Sequence, residues 1–309
     1  MRPVSIPVLI NRHGGTARKL GDNLDRAVSD AFMAAGMRAD IHYPEADDFS
    51  DAVRSFRGRG VIVVGGGDGT IAAAAAALAG SETALAVLPL GTLNHFARQL
   101  GVSPDLAEAA AVALQGHCQR IDLARVGERI FINNASVGLY TTIVRRREQS
   151  RFPKWVATIP AAWEAIRHLH LQDLTLDLDY RPQTIRTPLL FVGNNPYVLD
   201  GGLPGTRDSL SDGRLSVLAL APRGRLGLIG FGVRALGGRI EPGRDFAEIA
   251  SPRAFTIFGR GQIDVAHDGE VEQMALPLEF EILPQALAVM VSPEHHIGRN
   301  VLVPRRTLA

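Results

Sequence analysis

The first half of the chain alternates short β-branched runs with longer amphipathic or alanine-rich stretches. Val61-Ile62-Val63-Val64 places four β-branched residues in a row, as in a strand buried on both faces of a parallel sheet. Ile71 and the alanine-rich run 72–79, with Leu78 among its members, predict a helix directly after it. The same alternation predicts strands at 8–10, 39–43 and 84–89. It predicts helices at 17–35, ended by Gly36, at 50–56, and from about 90 onward. Strand, loop and helix recurring in this order make an α/β layer whose ligand loops lie at the C-terminal ends of the strands.

After 121–123 the pattern changes. Runs at 130–137, 174–180, 187–193, 215–220, 254–258, 263–266 and 278–283 read as strands separated by polar or glycine-rich turns. Two helical stretches interrupt them, at 154–168 and 225–236. The expected architecture is therefore two domains. An N-terminal α/β domain with a parallel sheet covers 1–124, with 294–309 as candidates to complete it, and a C-terminal β-rich sandwich domain covers 125–293.

Between the Val61 strand and its helix lie Gly65-Gly66-Gly67-Asp68-Gly69-Thr70. Glycines at such a joint let the backbone take φ > 0 and let a ligand approach the main chain closely. Amides at the helix start then favour an anion, so the stretch reads as a phosphate cradle, with a tight glycine-rich turn as the plainer alternative. The P-loop pattern fails because no lysine follows the glycines. The dinucleotide pattern fails because Thr70 stands where its third glycine belongs. Asp68 would repel a phosphate unless a divalent cation or a transferable proton lay between them, which argues for metal-assisted phosphoryl transfer. Two further loops are expected to converge on the same ligand. One is Asn11-Arg12-His13-Gly14-Gly15-Thr16; the other is Leu90-Gly91-Thr92-Leu93-Asn94, where Thr92 and Asn94 either cap a helix or contact phosphate.

Composition narrows the classes. An apolar fraction of 46% and a charged fraction of 21% are those of an ordinary globular protein. A net charge of +1 makes no case for nucleic acid, so any anion or membrane contact must come from a local patch. The single cysteine, Cys118, excludes a disulfide framework and a cysteine metal cluster. The first residues contain no continuous apolar stretch, and no run approaches the roughly 18 apolar residues of a membrane span. A cytoplasmic protein is expected, with peripheral contact at the inner membrane face. That contact falls to Arg145, Arg146, Arg147, Arg151 and Lys154, beside Phe152 and Trp155, a cluster suited to anionic headgroups, with a solvated loop as the alternative.

GGGDGT, followed by PLGT-x-N-x-FAR-x-LG, resembles the diacylglycerol kinase catalytic domain, the superfamily of bacterial diacylglycerol kinases and YegS-like lipid kinases related to sphingosine and ceramide kinases. The likeness continues through Phe131 to Gly138 (FINNASVG), Leu190 to Asn195 (LFVGNN), Ser209 to Val217 (SLSDGRLSV) and Ala266-His267-Asp268-Gly269-Glu270. It implies an ATP- and Mg²⁺-dependent lipid kinase with its site in the cleft between an α/β domain and a β-rich lipid domain. By the same resemblance Asn11, His42, Gly66, Gly67, Asp68, Gly69, Thr70, Gly91, Thr92 and Asn94 would hold nucleotide. Glu270 would be the general base, acting with Asp68, although Asp268-Gly269 is also a hairpin signal. A Mg²⁺ site would draw on Asp212 with the carbonyls of Ser209 and Arg214, where an Asp-Gly turn is the plainer reading. Ile71-Ala72-Ala73 stands where many members carry x-Asn-Glu, and His95 where they carry Asp. An NAD-kinase-like enzyme and a nucleotide-binding regulator without turnover are the alternatives.

Overall fold

The computed structural model describes residues 5–138, 172–178, 181–197, 207, 209–220 and 245–295. The expected helices at 154–168 and 225–236, the basic cluster at 145–155 and residues 296–309 lie outside them. The chain divides into two compact units. The first comprises Met1–Ile121, Asp208–Asp212 and Gln285–Ala309; the second comprises Asp122–Arg207 and Gly213–Pro284. The division thus falls a few residues before the boundary drawn from the sequence, and the part of the last strand from Gln285 onward belongs with the first unit.

The first unit is an α/β layer. Strands β1 (Ser5–Ile10), β2 (Arg38–His42), β3 (Val61–Gly66) and β4 (Ala84–Pro89) are joined in the order β2-β1-β3-β4 and are parallel throughout. From Gln285 the final strand, Leu278–Val291, extends this sheet, Ala288 pairing in parallel with Ala84. Val8, Leu9, Ile10, Ile62, Val63, Val64, Leu85 and Val87 are all buried, as strands covered by helices on both faces must be. Helices α1 (Gly15–Leu20), α2 (Leu24–Ala34), α3 (Phe49–Arg54), α4 (Asp68–Leu78), α5 (His95–Gln99) and α6 (Leu106–Gln115) connect the strands. The single helix expected over 17–35 is broken. Gly21 takes φ 52°, and Gly21–Asn23 forms a 3₁₀ turn between α1 and α2, because a glycine followed by Asp22 and Asn23 favours local turns over a continuous ladder.

The second unit is a sandwich of antiparallel strands. β5 (His117–Val126), β6 (Arg129–Phe131), β7 (Asn134–Gly138), β8 (Gln172–Leu178), β9 (Arg181–Thr187) and β10 (Leu189–Asn194) come first. β11 (Leu215–Leu220), β12 (Phe246–Ala250), β13 (Ala254–Phe258), β14 (Gln262–His267), β15 (Glu270–Ala275) and β16 (Leu278–Val291) follow. One sheet runs β12-β11-β10-β7-β14-β15; in the other, β16 pairs β13, β13 pairs β8, and β8 pairs β9. Alternate residues of both sheets fill one core. Leu174, Leu176, Phe255, Ile257, Leu278 and Phe280 come from one sheet, and Ala135, Val137, Leu190, Val192, Val217 and Val265 from the other. Phe255 and Phe280, directly paired across β13 and β16, stack at 4.8 Å between ring centroids.

Candidate active site

Three loops leave the C-terminal ends of β1, β3 and β4, and hydrogen bonds tie them to one another. Asn11 Nδ2 donates to Thr70 Oγ1 at 3.0 Å, and the Asn11 amide donates to the Gly65 carbonyl at 2.9 Å. The Thr16 amide reaches the Leu90 carbonyl at 2.9 Å, and its hydroxyl reaches the Gly91 carbonyl at 3.1 Å. The Leu90 amide donates to the Gly66 carbonyl at 3.1 Å. The first bond inside α4 runs from the Ile71 amide to the Gly67 carbonyl. The amides of Asp68, Gly69 and Thr70 therefore have no carbonyl of their own helix to meet.

Of the two purposes expected from the sequence, positive φ is one that these glycines do not serve. None of Gly65, Gly66, Gly67, Gly69 and Gly91 has positive φ; Gly67 is extended at φ −91° and ψ −179°. They are small because their neighbours are close. A Cβ on Gly91 would stand 2.4 Å from the Gly67 Cα, one on Gly66 2.5 Å from the Thr70 Cβ, and one on Gly15 2.6 Å from the Thr92 Oγ1. Gly69 differs: a Cβ there would meet nothing within 4 Å, and the residue is exposed at the start of α4. Its neighbourhood is open for a ligand.

Asp68 Oδ1 accepts the Phe96 amide at 3.1 Å, so this carboxylate serves the first turn of α5. The capping role considered for Thr92 and Asn94 falls instead to this residue from another loop. Asn94 sits at φ 51° and folds its own loop. Its Oδ1 accepts the Gly91 amide at 2.9 Å, and its Nδ2 donates to the carbonyls of Pro89 and Gly91, each at 3.2 Å. Thr92 is exposed beside it. His42 stands apart from this set of bonds. Its Nε2 lies 3.1 Å from Asp40 Oδ2, off the line of a hydrogen bond, and its ring packs edge-on against Phe56. Beside it, the Arg12 guanidinium lies 3.6 Å over the Tyr43 ring and the Tyr43 hydroxyl donates to Asp25. Burial, followed by that bond to Asp25, pushes the Tyr43 pKa up.

In the second unit Asp268-Gly269 is a two-residue hairpin loop between β14 and β15, with φ 45° and 95°. Both residues being left-handed, it is the primed turn that Asp-Gly favours. The turn reading considered for this stretch is thus what the backbone adopts, and Glu270 is its first residue beyond the loop, paired with His267. Glu270 is exposed. The Asp268 carboxylate instead turns inward to the amides of Ile132, Asn133 and Asn134 at 2.7, 2.9 and 3.3 Å. Burial raises the Asp268 pKa, and the three amides offset part of that rise. Two residues beyond Glu270, Glu272 takes a bidentate pair of bonds from Arg129 at 2.7 and 2.9 Å. That bond holds the Glu272 pKa down and the Arg129 pKa up.

Arg207 joins the same neighbourhood, and nothing in its sequence context announced it. It donates to the carbonyls of Ile132 and Asn194 at 3.0 and 2.7 Å and to Asn133 Oδ1 at 3.3 Å. Burial lowers the Arg207 pKa, against the charges of Tyr197 and Asp268. Asn194 Nδ2 donates to the carbonyls of Asp122 and Ile132, both at 2.9 Å, and Asp122 Oδ2 accepts the Gly213 amide at 2.7 Å. The FINN, GNN, SDGR and HDGE fragments, scattered along the chain, are thereby joined by one network of hydrogen bonds. A buried polar group without a partner is costly, so such fragments hold together as a set.

Of the three residues assigned to Mg²⁺, Ser209 and Asp212 belong to the first unit and Arg214 to the second. Ser209 is buried and its hydroxyl accepts the Ser211 amide at 3.1 Å; the Arg214 carbonyl accepts the Asn195 amide at 3.1 Å. A carboxylate and carbonyls are oxygen donors of the kind that a hard cation takes. Among the described residues no three His, Cys, Asp or Glu side chains gather as a metal cluster, and no helix is long and apolar enough to cross a membrane.

Residues 5–126 match the family model of the diacylglycerol kinase catalytic domain. A Klebsiella pneumoniae (strain 342) protein named "Probable lipid kinase YegS-like" is 48% identical over 85 residues, 26% of this chain and 29% of its own length. A protein of the same name from Citrobacter koseri is 34% identical over 146 residues, 46% of this chain and 48% of its own. The chain thus spans less than half the length of these curated relatives. Two solved structures from Bacillus anthracis str. Sterne align with 95% of this chain. One covers 99% of its own length with a TM-score of 0.73 and 22% identity. The other, a diacylglycerol kinase, covers 98% with a TM-score of 0.67 and 19% identity. At these identities the likeness is one of fold.

Proposed function

We propose, from the match of residues 5–126 to the family model of the diacylglycerol kinase catalytic domain, that the chain is a lipid kinase. It transfers the γ-phosphoryl group of ATP, with Mg²⁺, to a lipid hydroxyl such as that of diacylglycerol. The observation that carries this reading is the start of α4. The amides of Asp68, Gly69 and Thr70 are unused by the helix, Gly69 is open, and the flanking loops are hydrogen-bonded into one frame. Such an end favours anionic oxygens through its amides and its dipole. Thr70 and Thr92 offer hydroxyl donors beside it, while Asn11, Asn94, Gly66 and Gly91 hold the loops in place. Asp68, engaged with the Phe96 amide, keeps a carboxylate at the same helix start.

Glu270 accepts the proton of the lipid hydroxyl. In a loose phosphoryl-transfer transition state that proton leaves late, so an exposed carboxylate of modest basicity suffices if it is well placed. A structural Mg²⁺ is assigned to the oxygen donors of the Asp212 loop, Ser209 and Arg214 included, where it would tie that loop together. The lipid surface is met peripherally, through the basic cluster around Arg145 and Trp155.

The test is transfer of labelled γ-phosphate from ATP and Mg²⁺ into mixed micelles of a lipid panel, with NAD as a separate acceptor. Glu270→Ala and Asp68→Ala are run alongside. Label in a lipid, lost in the Glu270 variant, is the expected result. Label in NAD alone assigns the chain to the NAD-kinase-like alternative, and ATP binding without transfer to either acceptor assigns it to the regulator.

A further inference from the structure

We infer that Asp268 is a positioning residue, which locks the turn carrying Glu270 by gripping the main chain of Ile132, Asn133 and Asn134. The inference rests on the kinase reading for what Glu270 does, and on geometry for how it is held. Three amides converge on one carboxylate, Ile132 on Oδ2 and Asn133 and Asn134 on Oδ1. The grip is reciprocal, since the Asp268 amide donates to the Asn134 carbonyl at 2.9 Å. Only a carboxylate accepts on both oxygens. An asparagine would turn an N–H₂ toward one of these N–H groups, donor against donor.

The consequence for Glu270 follows from the hairpin. In a two-residue loop the next residue starts the strand, and slipping by one residue sends its side chain to the opposite face. Asp268 sets where the loop lies, and Gly269 completes it. On the far side of Glu270, Arg129 holds Glu272 with two bonds. Glu270 and Glu272, two apart on β15, share a face. The segment 129–134 therefore grips β15 and its turn on both sides of Glu270, while Glu270 itself stays exposed. A base that must meet a hydroxyl proton late in the reaction gains from that fixity.

The test uses the full chain and two readouts. In lipid phosphorylation, Asp268→Asn is expected to lower kcat by about tenfold or more, as loss of catalytic alignment does, with KM for ATP little changed. In a Glu270→Gln background the same substitution is expected to have almost no further effect, because residues acting as a unit are not additive. An unchanged kcat, or an equal fall in that background, overturns the inference. The second readout is amide hydrogen exchange. Asp268→Asn is expected to speed exchange at Ile132, Asn133, Gly269 and Glu270 by about tenfold or more, while Leu176 and Ile257 in the other sheet stay protected. Undiminished protection at Ile132 and Asn133 overturns the inference as well. If wild-type protein phosphorylates no lipid, the kinase reading has failed, and exchange alone decides whether Asp268 holds the turn.

Discussion

Gly69 and Gly91 stand in neighbouring loops, yet the same substitution is expected to act on them in opposite ways. Gly69 is the second residue of α4, does not have positive φ, and a Cβ there meets nothing within 4 Å. Glycine in a helix costs about 0.5–1 kcal/mol relative to alanine, so Gly69→Ala is expected to raise stability by up to that amount. A methyl on that open main chain also stands where phosphate oxygens approach in the proposed reading. ATP affinity is expected to fall about tenfold, which is about 1.4 kcal/mol. At Gly91 the added Cβ would lie 2.4 Å from the Gly67 Cα, whereas ordinary contacts begin at 3.4 Å. The two loops must part by about 1 Å, and overpacking of that kind costs about 1–3 kcal/mol. Gly91→Ala is expected to lose both stability and ATP affinity.

Urea unfolding and calorimetric titration with ATP measure the two quantities separately. The decisive variant is Gly69→Ala, because its stability and its binding are expected to move apart. If it is as stable as wild type or more so and binds ATP equally well, no ligand approaches the main chain at Gly69. The phosphate cradle at α4 is then refuted. If Gly91→Ala unfolds at the wild-type urea concentration, the glycines are not there for close packing.

Asp68→Asn keeps an oxygen for the Phe96 amide and removes the charge, so stability is expected to hold within about 0.5 kcal/mol, whereas Asp68→Ala loses about 1 kcal/mol; urea midpoints of the pair separate cap from charge. Burial raises the Asp268 pKa above its ordinary value, so the folded protein takes up that proton more readily than the unfolded chain. Stability is therefore expected to rise as pH falls from the raised value to the ordinary one, about 3.9, and Asp268→Asn to flatten this segment of the unfolding profile. Arg207→Met leaves the buried carbonyls of Ile132 and Asn194 without that donor and removes a buried charge. A loss on the order of 3 kcal/mol is expected in urea, and a loss below about 0.5 kcal/mol would mean that the network is not built around this side chain.

The strands at Ala84–Pro89, Leu215–Leu220 and Ala254–Phe258 were legible to the residue, because continuous burial and strict alternation both leave a clear apolar pattern. Arg181–Thr187, Phe246–Ala250 and Glu270–Ala275 were not. All three are edge strands, and edges carry polar side chains that erase the pattern and block pairing with other chains. In the site, a glycine-rich loop at a strand-to-helix joint was visible, but the reason for its glycines was not. Whether a glycine serves positive φ or a close approach depends on what lies opposite, and Gly91 and Gly67 meet only after both loops are folded. Asp268 was hidden for the same reason. Its partners at 132–134 are far away in sequence, and main-chain amides leave no trace in the identity of the residues that supply them.

Exposure now divides the fragments that carried the resemblance into two kinds. Asn194 and Asn195 are enclosed, and Asn194 binds chain segments together through the carbonyls of Asp122 and Ile132. Gly69, Thr92 and Glu270 face outward, and only residues of this kind can touch a substrate directly. The departures from the family pattern gain a meaning from the same division. Ile71 is 2% exposed, and Ala72 and Ala73 follow it along α4 beyond the three unused amides. Replacing Asn and Glu there takes away polar side chains but leaves the main-chain donors of Asp68, Gly69 and Thr70 as they were. Phosphate binding in the proposed reading draws on those donors, so it does not depend on the side chains that this chain lacks.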